Sequence, residues 1–166
     1  MTAACFVDAN VFVYACDSAS PLKQQVSLAL LGRLWREQAG RTSVQALNEF
    51  YVIVTRKLPQ PLPPDKAWQE VEELLQWNPQ PVDSALLLSA HQIEARLPIS
   101  WWDALILAAA KSQHCATLYS EDFQHGAVIY GVRICNPFLG HIQEPASPAY
   151  VPVRLAGPRP RGRPRK

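Results

Sequence analysis

The chain lacks any hydrophobic run of the roughly 18–20 residues that a membrane-spanning helix needs. Its first residues, Met1 to Cys5, include no basic stretch of the kind that opens a secretory signal, so we expect no signal peptide. Its four cysteines are far apart and form no Cys-x-x-Cys pair, which argues against a zinc site and against a disulfide framework. These absences predict a cytoplasmic protein with reduced thiols and no contact with membranes.

Hydrophobic residues make up 48% of the 166 residues, which is typical of a folded domain with a substantial core and excludes a wholly disordered chain. The charges are distributed unevenly. Residues 154–166 contain six of the 16 basic residues and none of the 14 acidic ones, so the rest of the chain has 16 − 6 = 10 basic residues and a net charge of −4. Any attraction to nucleic-acid phosphates is therefore expected to come largely from the C-terminal tail.

Strand-like and helix-like segments alternate along the chain. The apolar runs predict short strands at 4–7, 116–119 and 132–135, with the first one continuing loosely through 11–14. Helical spacing of the apolar residues predicts helices over 21–38, 44–57, 65–77, 84–96 and 101–113. This order favours a three-layer α/β fold, in which helices flank a short parallel sheet.

Four carboxylates stand at the edges of these apolar segments, where packing gives no reason for a charge: Asp8, Glu49, Asp103 and Asp122. No Lys or Arg is adjacent to any of them in the sequence, and an unpaired charge taken out of water costs several kcal/mol. In a parallel α/β sheet, sites form at the carboxyl ends of the strands. If the fold gathers these acids, they repel one another until a hard divalent cation, Mg²⁺ or Mn²⁺, joins them.

Each acid also has a purely structural interpretation. Asp8 and Asn10 fit a turn that ends a strand, and Asp103 stands three residues after Ser100, which fits a helix capping box. Glu49 fits a solvated helix residue, and Asp122 fits an ordinary turn between a strand and a helix. One shared site accounts for all four positions, whereas the structural interpretation requires four separate coincidences.

The segments around these acids resemble the PIN-domain ribonucleases, and most closely the VapC-type toxins of bacterial toxin–antitoxin modules. The resemblance runs from about Cys5 to Phe138 and is carried, in order, by Asp8-Ala9-Asn10-Val11, Gln45-Ala46-Leu47-Asn48-Glu49-Phe50, Trp102-Asp103-Ala104-Leu105-Ile106 and Tyr119-Ser120-Glu121-Asp122-Phe123. It implies a PIN-like nuclease domain over residues 1–143 with a catalytic set that binds one or two Mg²⁺ or Mn²⁺ ions: Asp8, Glu49, Asp103 and Asp122. Asn10 and Ser120 match polar positions that support the site.

The activity that the resemblance implies is hydrolysis of RNA, leaving a 5′-phosphate and a 3′-hydroxyl. A bound metal ion serves this reaction by lowering the pKa of its water and by stabilising charge on the phosphate oxygens. The implied partners are a cognate antitoxin protein and a second copy of the chain in a homodimer. The role of the additional acid Glu121 stays open, as does that of His125, which either contacts the substrate or packs a loop. Trp101 and Trp102 are candidates for base stacking, although core packing is favoured for at least one of them.

The C-terminal residues 144–166 are predicted to form a disordered, Pro/Arg-rich extension that ends in an AT-hook-like segment. Its candidate nucleic-acid-binding residues are Arg159, Arg161, Gly162, Arg163, Pro164 and Arg165. Glycine allows the backbone to approach the groove floor, and the arginines suit the narrow, negative minor groove of A·T-rich DNA. The alternative is a general cationic tail that binds RNA or DNA without preference.

Taken together, the sequence predicts a metal-dependent endoribonuclease, the toxin component of a type II toxin–antitoxin system. Two alternatives remain open. One is a PIN nuclease without an antitoxin that processes RNA or acts on DNA. The other is a non-catalytic module that tethers itself to DNA through the tail and keeps a vestigial acidic cleft.

Overall fold

The computed structural model describes residues 2–140, which form six α-helices, one 3₁₀ turn and five strands. The strands are β1 (Cys5–Val7), β2 (Gly40–Arg41), β3 (Thr117–Tyr119), β4 (Val128–Ile129) and β5 (Val132–Cys135). The helices are α1 (Ala9–Ala15), α2 (Pro21–Glu37), α3 (Val44–Arg56), α4 (Pro64–Leu74), α5 (Ser84–Glu94) and α6 (Trp101–Ser112), and the 3₁₀ turn Leu75–Trp77 follows α4.

The five strands form one sheet in the order β2-β1-β3-β5-β4. All neighbouring pairs are parallel except β4 and β5, which form an antiparallel pair at one edge. Phe6 of β1 lies opposite Leu118 of β3, which lies opposite Ile134 of β5, and all three side chains are buried. The predicted α/β fold with a short parallel sheet is confirmed. The two-residue strands β2 and β4 are additions to the sequence prediction.

The sheet separates two hydrophobic clusters, which makes the architecture three-layered. Successive side chains of a strand point to opposite faces, so Cys5 and Val7 join one cluster and Phe6 joins the other. The first cluster includes buried residues of α1, α2, α3 and α4. The second contains Ala104 to Ala110 of α6, together with residues of α5. The strongly apolar helix α6 therefore packs against both the sheet and α5.

The predicted continuation of the first strand through residues 11–14 is wrong, because these residues belong to α1. Val11 and Val13 favour a strand by propensity, but packing overrides that preference here. Every residue from Ala9 to Tyr14 is buried. A helix without a polar face shows no 3.6-residue alternation, so no periodic pattern indicated this helix.

Several helix ends differ from the predicted ones. The helix α2 ends at Glu37, one residue before the predicted end, and the chain leaves it through Gln38, which adopts a left-handed conformation with φ 54°. The predicted helix over 65–77 begins one residue earlier, at Pro64, and its last three residues form the 3₁₀ turn. The predicted cap of α6 is confirmed, since Ser100 Oγ accepts a 3.1 Å hydrogen bond from the Asp103 N–H.

Among the helices between residues 2 and 140, none is long and apolar enough to cross a membrane. The predicted extension over residues 144–166 lies outside the described residues, and so do the AT-hook candidates and the domain boundary at residue 143.

Candidate active site

Asp8 lies between the carboxyl end of β1 and the first turn of α1, and its side chain is only 3% exposed. Its Oδ1 atom accepts a 2.8 Å hydrogen bond from the Ala9 N–H, and its Oδ2 atom accepts one of 2.8 Å from Ser120 Oγ. The backbone N–H of Asp8 donates to the Tyr119 carbonyl at 3.0 Å, so β1 and β3 end together here. The carboxylate is thus held in one orientation at the edge of the sheet.

Asn10 and Ser120 connect Asp8 to Asp122. Ser120 is fully buried, and its Oγ atom accepts a 3.1 Å hydrogen bond from the Asp122 N–H. The Asn10 Nδ2 atom donates to Asp122 Oδ2 at 3.1 Å and to Ser120 Oγ at 3.4 Å. The two residues predicted to support the site therefore bridge two of the predicted catalytic acids. The Oδ1 atom of Asn10 is buried, and no residue from 2 to 140 gives it a hydrogen bond.

The environment of Asp8 is strongly unfavourable to its negative charge. Burial is the main cause that raises the pKa of Asp8 from its ordinary value of 3.8 to about 7, and the charges of Asp122 and Glu49 raise it further. The hydrogen bonds from Ser120 and Ala9 act in the opposite direction and only partly offset the effect. Asp8, Glu49 and Asp122 consequently share one electrostatic environment, although they come from three separate parts of the chain.

Glu49 and Asp103 are placed by α3 and α6, and Gln45 links the two helices. The Gln45 Nε2 atom donates to Glu49 Oε1 at 3.1 Å and to the Trp102 carbonyl at 3.3 Å. Trp102 immediately precedes Asp103 in the first turn of α6. The structure thus joins the segments that carry these two acids, and both acids are partly exposed.

Over residues 2–140, no three side chains of the types His, Cys, Asp and Glu lie close enough together to hold a metal ion among themselves. Asp8 and Asp122 instead share the polar side chains of Ser120 and Asn10.

The chemistry of the site nevertheless fits a hard divalent cation. Carboxylate and amide oxygens are the ligands that Mg²⁺ and Mn²⁺ prefer. Besides the acids, the site includes a buried amide oxygen to which the described residues give no hydrogen bond, Asn10 Oδ1. Asp8 is the residue with the most to gain from a cation, because burial and two neighbouring acids all oppose its ionisation.

Glu121, Tyr14 and Lys23 form a cluster beside the site, here called the anchor, which the sequence did not predict. Its carboxylate accepts a 3.0 Å hydrogen bond from the Tyr14 hydroxyl and forms a 3.1 Å ion pair with Lys23. The Lys23 ammonium also lies 4.3 Å from the centre of the Tyr14 ring. This anchor attaches the loop between Ser120 and Asp122 to α1 and α2. Lys23 and Glu121 are 98 residues apart in the chain, so no local pattern could reveal their contact.

The remaining candidates have packing roles in the structure. The His125 Nδ1 atom accepts a 3.1 Å hydrogen bond from the Asn136 N–H, which supports the interpretation of His125 as a loop-packing residue. Trp101 and Trp102 are half-buried and pack against the cluster that surrounds α6. The preference for core packing of at least one of these tryptophans is confirmed.

Comparison with known proteins identifies a similar fold and a matching family. The solved structures that resemble this one include the crystal structure of the Mycobacterium tuberculosis toxin VapC20, described as cleaving the sarcin–ricin loop. The TM-score is 0.50 and the identity 17%, with 72% of this chain and 90% of that chain covered, which shows a shared fold. No curated protein matches the sequence.

Residues 5–128, well over half of the chain, match the family described as the PIN domain. The match includes the predicted acids and the two polar residues between them, and it supports a nuclease, as the resemblance of the sequence motifs implied. The chain belongs to the PIN-domain family.

Proposed function

We propose that this protein is an endoribonuclease that depends on Mg²⁺ or Mn²⁺, and that it acts in the cytoplasm as the VapC-type toxin of a type II toxin–antitoxin system. The observation that carries the proposal is the position of Asp8. It is buried at the carboxyl end of β1, its pKa is raised to about 7, and two of the groups that raise it are the acids Glu49 and Asp122. A cation beside such a site favours its ionised form.

Asp8 and Asp103 are the residues proposed as direct metal ligands, with Glu49 and Asp122 completing the acidic set. A divalent cation held by these residues would neutralise charge on the scissile phosphate and lower the pKa of water. The protein's own contribution is orientation. Ser120 and the Ala9 N–H hold both oxygens of Asp8, and Asn10 holds one oxygen of Asp122.

The proposed reaction is in-line hydrolysis of a phosphodiester bond in RNA, with a 5′-phosphate and a 3′-hydroxyl as products. Because water is the nucleophile, the reaction needs no 2′-hydroxyl attack and no pair of catalytic histidines. This agrees with His125, whose Nδ1 atom is engaged by the Asn136 backbone. The toxin assignment further implies a cognate antitoxin and a homodimer. The basic tail is proposed to bind nucleic acid, with A·T-rich DNA as the specific candidate.

The purified protein can be tested on a mixed RNA substrate with Mg²⁺, with EDTA, and with Mg²⁺ restored after EDTA. We expect cleavage in the first and third conditions only, with new 5′-phosphate ends that a phosphate-dependent exonuclease degrades. A single-stranded DNA of the same sequence is the substrate control. Cleavage that persists in EDTA would contradict the metal requirement, and cleavage of DNA alone would move the proposal to a DNA nuclease.

The toxin role has its own test. Induced expression in bacteria should arrest growth, and co-expression of the neighbouring short reading frame should restore it. RNA cleavage without growth arrest would indicate a PIN nuclease of another role. Failure to cleave RNA, together with salt-sensitive binding to A·T-rich DNA, would favour the tethering module.

A further inference from the structure

We propose that Gln45 is a positioning residue for the acidic site, which holds the Glu49 carboxylate at a fixed separation from the first turn of α6. This inference rests on the proposed function, because the acids that Gln45 aligns are the proposed metal ligands. It goes beyond that function by assigning a role to an uncharged side chain outside the acidic set.

The amide of Gln45 connects α3 to α6. No backbone hydrogen bond joins these two described helices at this point. Its Nε2 atom donates to Glu49 Oε1, one helical turn further along α3, and to the Trp102 carbonyl of α6. Gln45 is only 8% exposed, so water competes little for either hydrogen bond. Since Asp103 follows Trp102, one amide sets the spacing between the two acid-bearing segments.

The helix that carries Gln45 and Glu49 is itself fixed to the end of β1. Ser43 caps α3 by accepting a 3.2 Å hydrogen bond from the Ala46 N–H. Its neighbour Thr42 donates a 3.0 Å hydrogen bond to the carbonyl of Val7, the residue before Asp8. A short chain of hydrogen bonds therefore runs from the backbone beside Asp8 to the start of the helix that presents Glu49.

The orientation of the Gln45 amide follows from its surroundings. A carboxylate and a backbone carbonyl both require a donor, so only the NH₂ end can face Glu49 and Trp102. The other end of the amide, Oε1, is buried and receives no hydrogen bond from residues 2–140. A buried acceptor in this state lowers stability, and an apolar residue of the same size would avoid the loss. Retaining an amide here is explained by the acid that it orients.

The test compares Gln45→Met with Gln113→Met, because Gln113 is a close match outside the site. Gln113 follows α6 at its far end, and its Nε2 atom also donates to a backbone carbonyl, that of Asn78, at 3.0 Å. Its Oε1 atom is likewise buried and receives no hydrogen bond from the described part of the chain. Both substitutions remove an amide NH₂ group and an unsatisfied acceptor, but Gln45→Met loses two hydrogen bonds, one of them to a carboxylate of the site, and Gln113→Met loses one.

The measurement is Mn²⁺ affinity by isothermal titration calorimetry, which does not depend on cleavage. Loss of a residue that orients a metal ligand typically weakens metal binding about 10–100-fold, and we expect that loss for Gln45→Met with a circular dichroism spectrum like the wild type. Gln113→Met should bind Mn²⁺ within about twofold of the wild type. Equal affinities of the two variants would overturn the inference.

Mn²⁺ binding by the wild type and by Asp8→Asn tests the proposed function separately from this inference. Wild type that binds Mn²⁺ and Asp8→Asn that does not would establish the metal site, whatever Gln45 does. Absence of Mn²⁺ binding by the wild type would overturn both proposals together. If Gln45→Met does not fold, Gln45→Leu decides, because it also removes the donor and adds no charge that could itself bind the metal. Wild-type affinity in that variant would contradict the positioning role.

Discussion

The Ser120 hydroxyl donates a 2.8 Å hydrogen bond to Asp8 Oδ2, joining two residues that are 112 positions apart in the chain. The contact exists because β1 and β3 are parallel neighbours whose carboxyl ends meet at one edge of the sheet. The same Oγ atom accepts the Asp122 N–H. A single buried hydroxyl thus couples the positions of two acids.

We predict that Ser120→Ala reduces both stability and metal binding. The substitution leaves a buried carboxylate oxygen and the Asp122 N–H without this partner, which should cost about 1–3 kcal/mol of unfolding free energy. Mn²⁺ affinity and cleavage rate should fall about 10–100-fold, because the orientation of Asp8 is lost. Urea denaturation in EDTA and calorimetric titration with Mn²⁺ measure the two effects separately.

Ser27→Ala is the matched control for this prediction. Ser27 is as fully buried as Ser120, but its Oγ atom has no hydrogen-bond partner among residues 2–140. Its removal should leave stability unchanged or slightly increased, and Mn²⁺ affinity unaffected. Similar losses in the two alanine variants would show that buried volume, and not the hydrogen bond to Asp8, determines the result.

The stability of the metal-free protein should depend on the protonation of Asp8. Its pKa is raised in the folded state, to about 7, so the folded protein binds this proton more tightly than the unfolded chain does. The contribution is therefore greatest at low pH and is lost as the pH rises from about 4 to about 7, with a total on the order of 4 kcal/mol.

The difference between wild type and Asp8→Asn isolates this effect from other titrating groups. In EDTA, the unfolding free energy of the wild type relative to the variant should decrease from pH 5 to about pH 7 and level off above it, because only the wild type has to ionise a buried acid. Chemical denaturation at several pH values gives the curve. A difference that rises with pH would mean that the pKa of Asp8 is lowered in the folded protein.

The ion pair between Lys23 and Glu121 should stabilise the protein more than an ordinary surface pair. The two side chains are 24% and 14% exposed, and the Tyr14 hydroxyl hydrogen-bonds to the same carboxylate. A double-mutant cycle with Lys23→Met and Glu121→Gln should give a coupling energy of about 1 kcal/mol.

The pair between Arg33 and Glu37 provides the comparison. It spans one turn of α2, with side chains 41% and 33% exposed, so its coupling should be only about 0.3–0.5 kcal/mol. Adding 0.5 M salt should reduce this value further, while the Lys23–Glu121 coupling persists better because it is less exposed. Equal couplings would show that Glu121 is an ordinary surface acid.

Gly40→Ala should destabilise the fold. A Cβ atom at this position would overlap the ring of Trp77, which is buried and packs against Phe12 and Trp35. Crowding of this kind costs roughly 1–3 kcal/mol. Gly32→Ala in α2 is the control, since its Cβ would meet only the end of the flexible Arg36 side chain and should stabilise the helix by up to about 1 kcal/mol. Thermal unfolding of both variants in EDTA distinguishes the outcomes.

Sequence patterns were sufficient for the features that depend on local signals or on general rules of sheets. Ser100 before an apolar helix predicted the cap of α6, and the ends of two parallel strands predicted that Asp8 and Asp122 lie at one edge. The order of strands and helices predicted the three-layer fold. These inferences succeed because each one depends on a short segment or on a rule that every parallel sheet obeys.

The features that escaped prediction depend on contacts between distant segments. The helix α1 gave no periodic pattern because its residues from Ala9 to Tyr14 are all buried. The hydrogen bond from Gln45 to Trp102 depends on how α3 and α6 approach each other, which no local motif encodes. The contact between Lys23 and Glu121 has the same origin. Such contacts require the assembled fold.

The most direct test of the central claim compares RNA cleavage by Asp8→Asn and Asp17→Asn in Mg²⁺. Both acids are buried, and Asp17 follows the opposite end of α1, where it accepts hydrogen bonds from the Ala19 N–H and the Ser20 hydroxyl. We predict that Asp17→Asn cleaves RNA like the wild type, whereas Asp8→Asn remains folded and cleaves no more than the wild type does in EDTA. Full activity of Asp8→Asn would contradict the assignment of the acidic site as a metal-dependent nuclease centre.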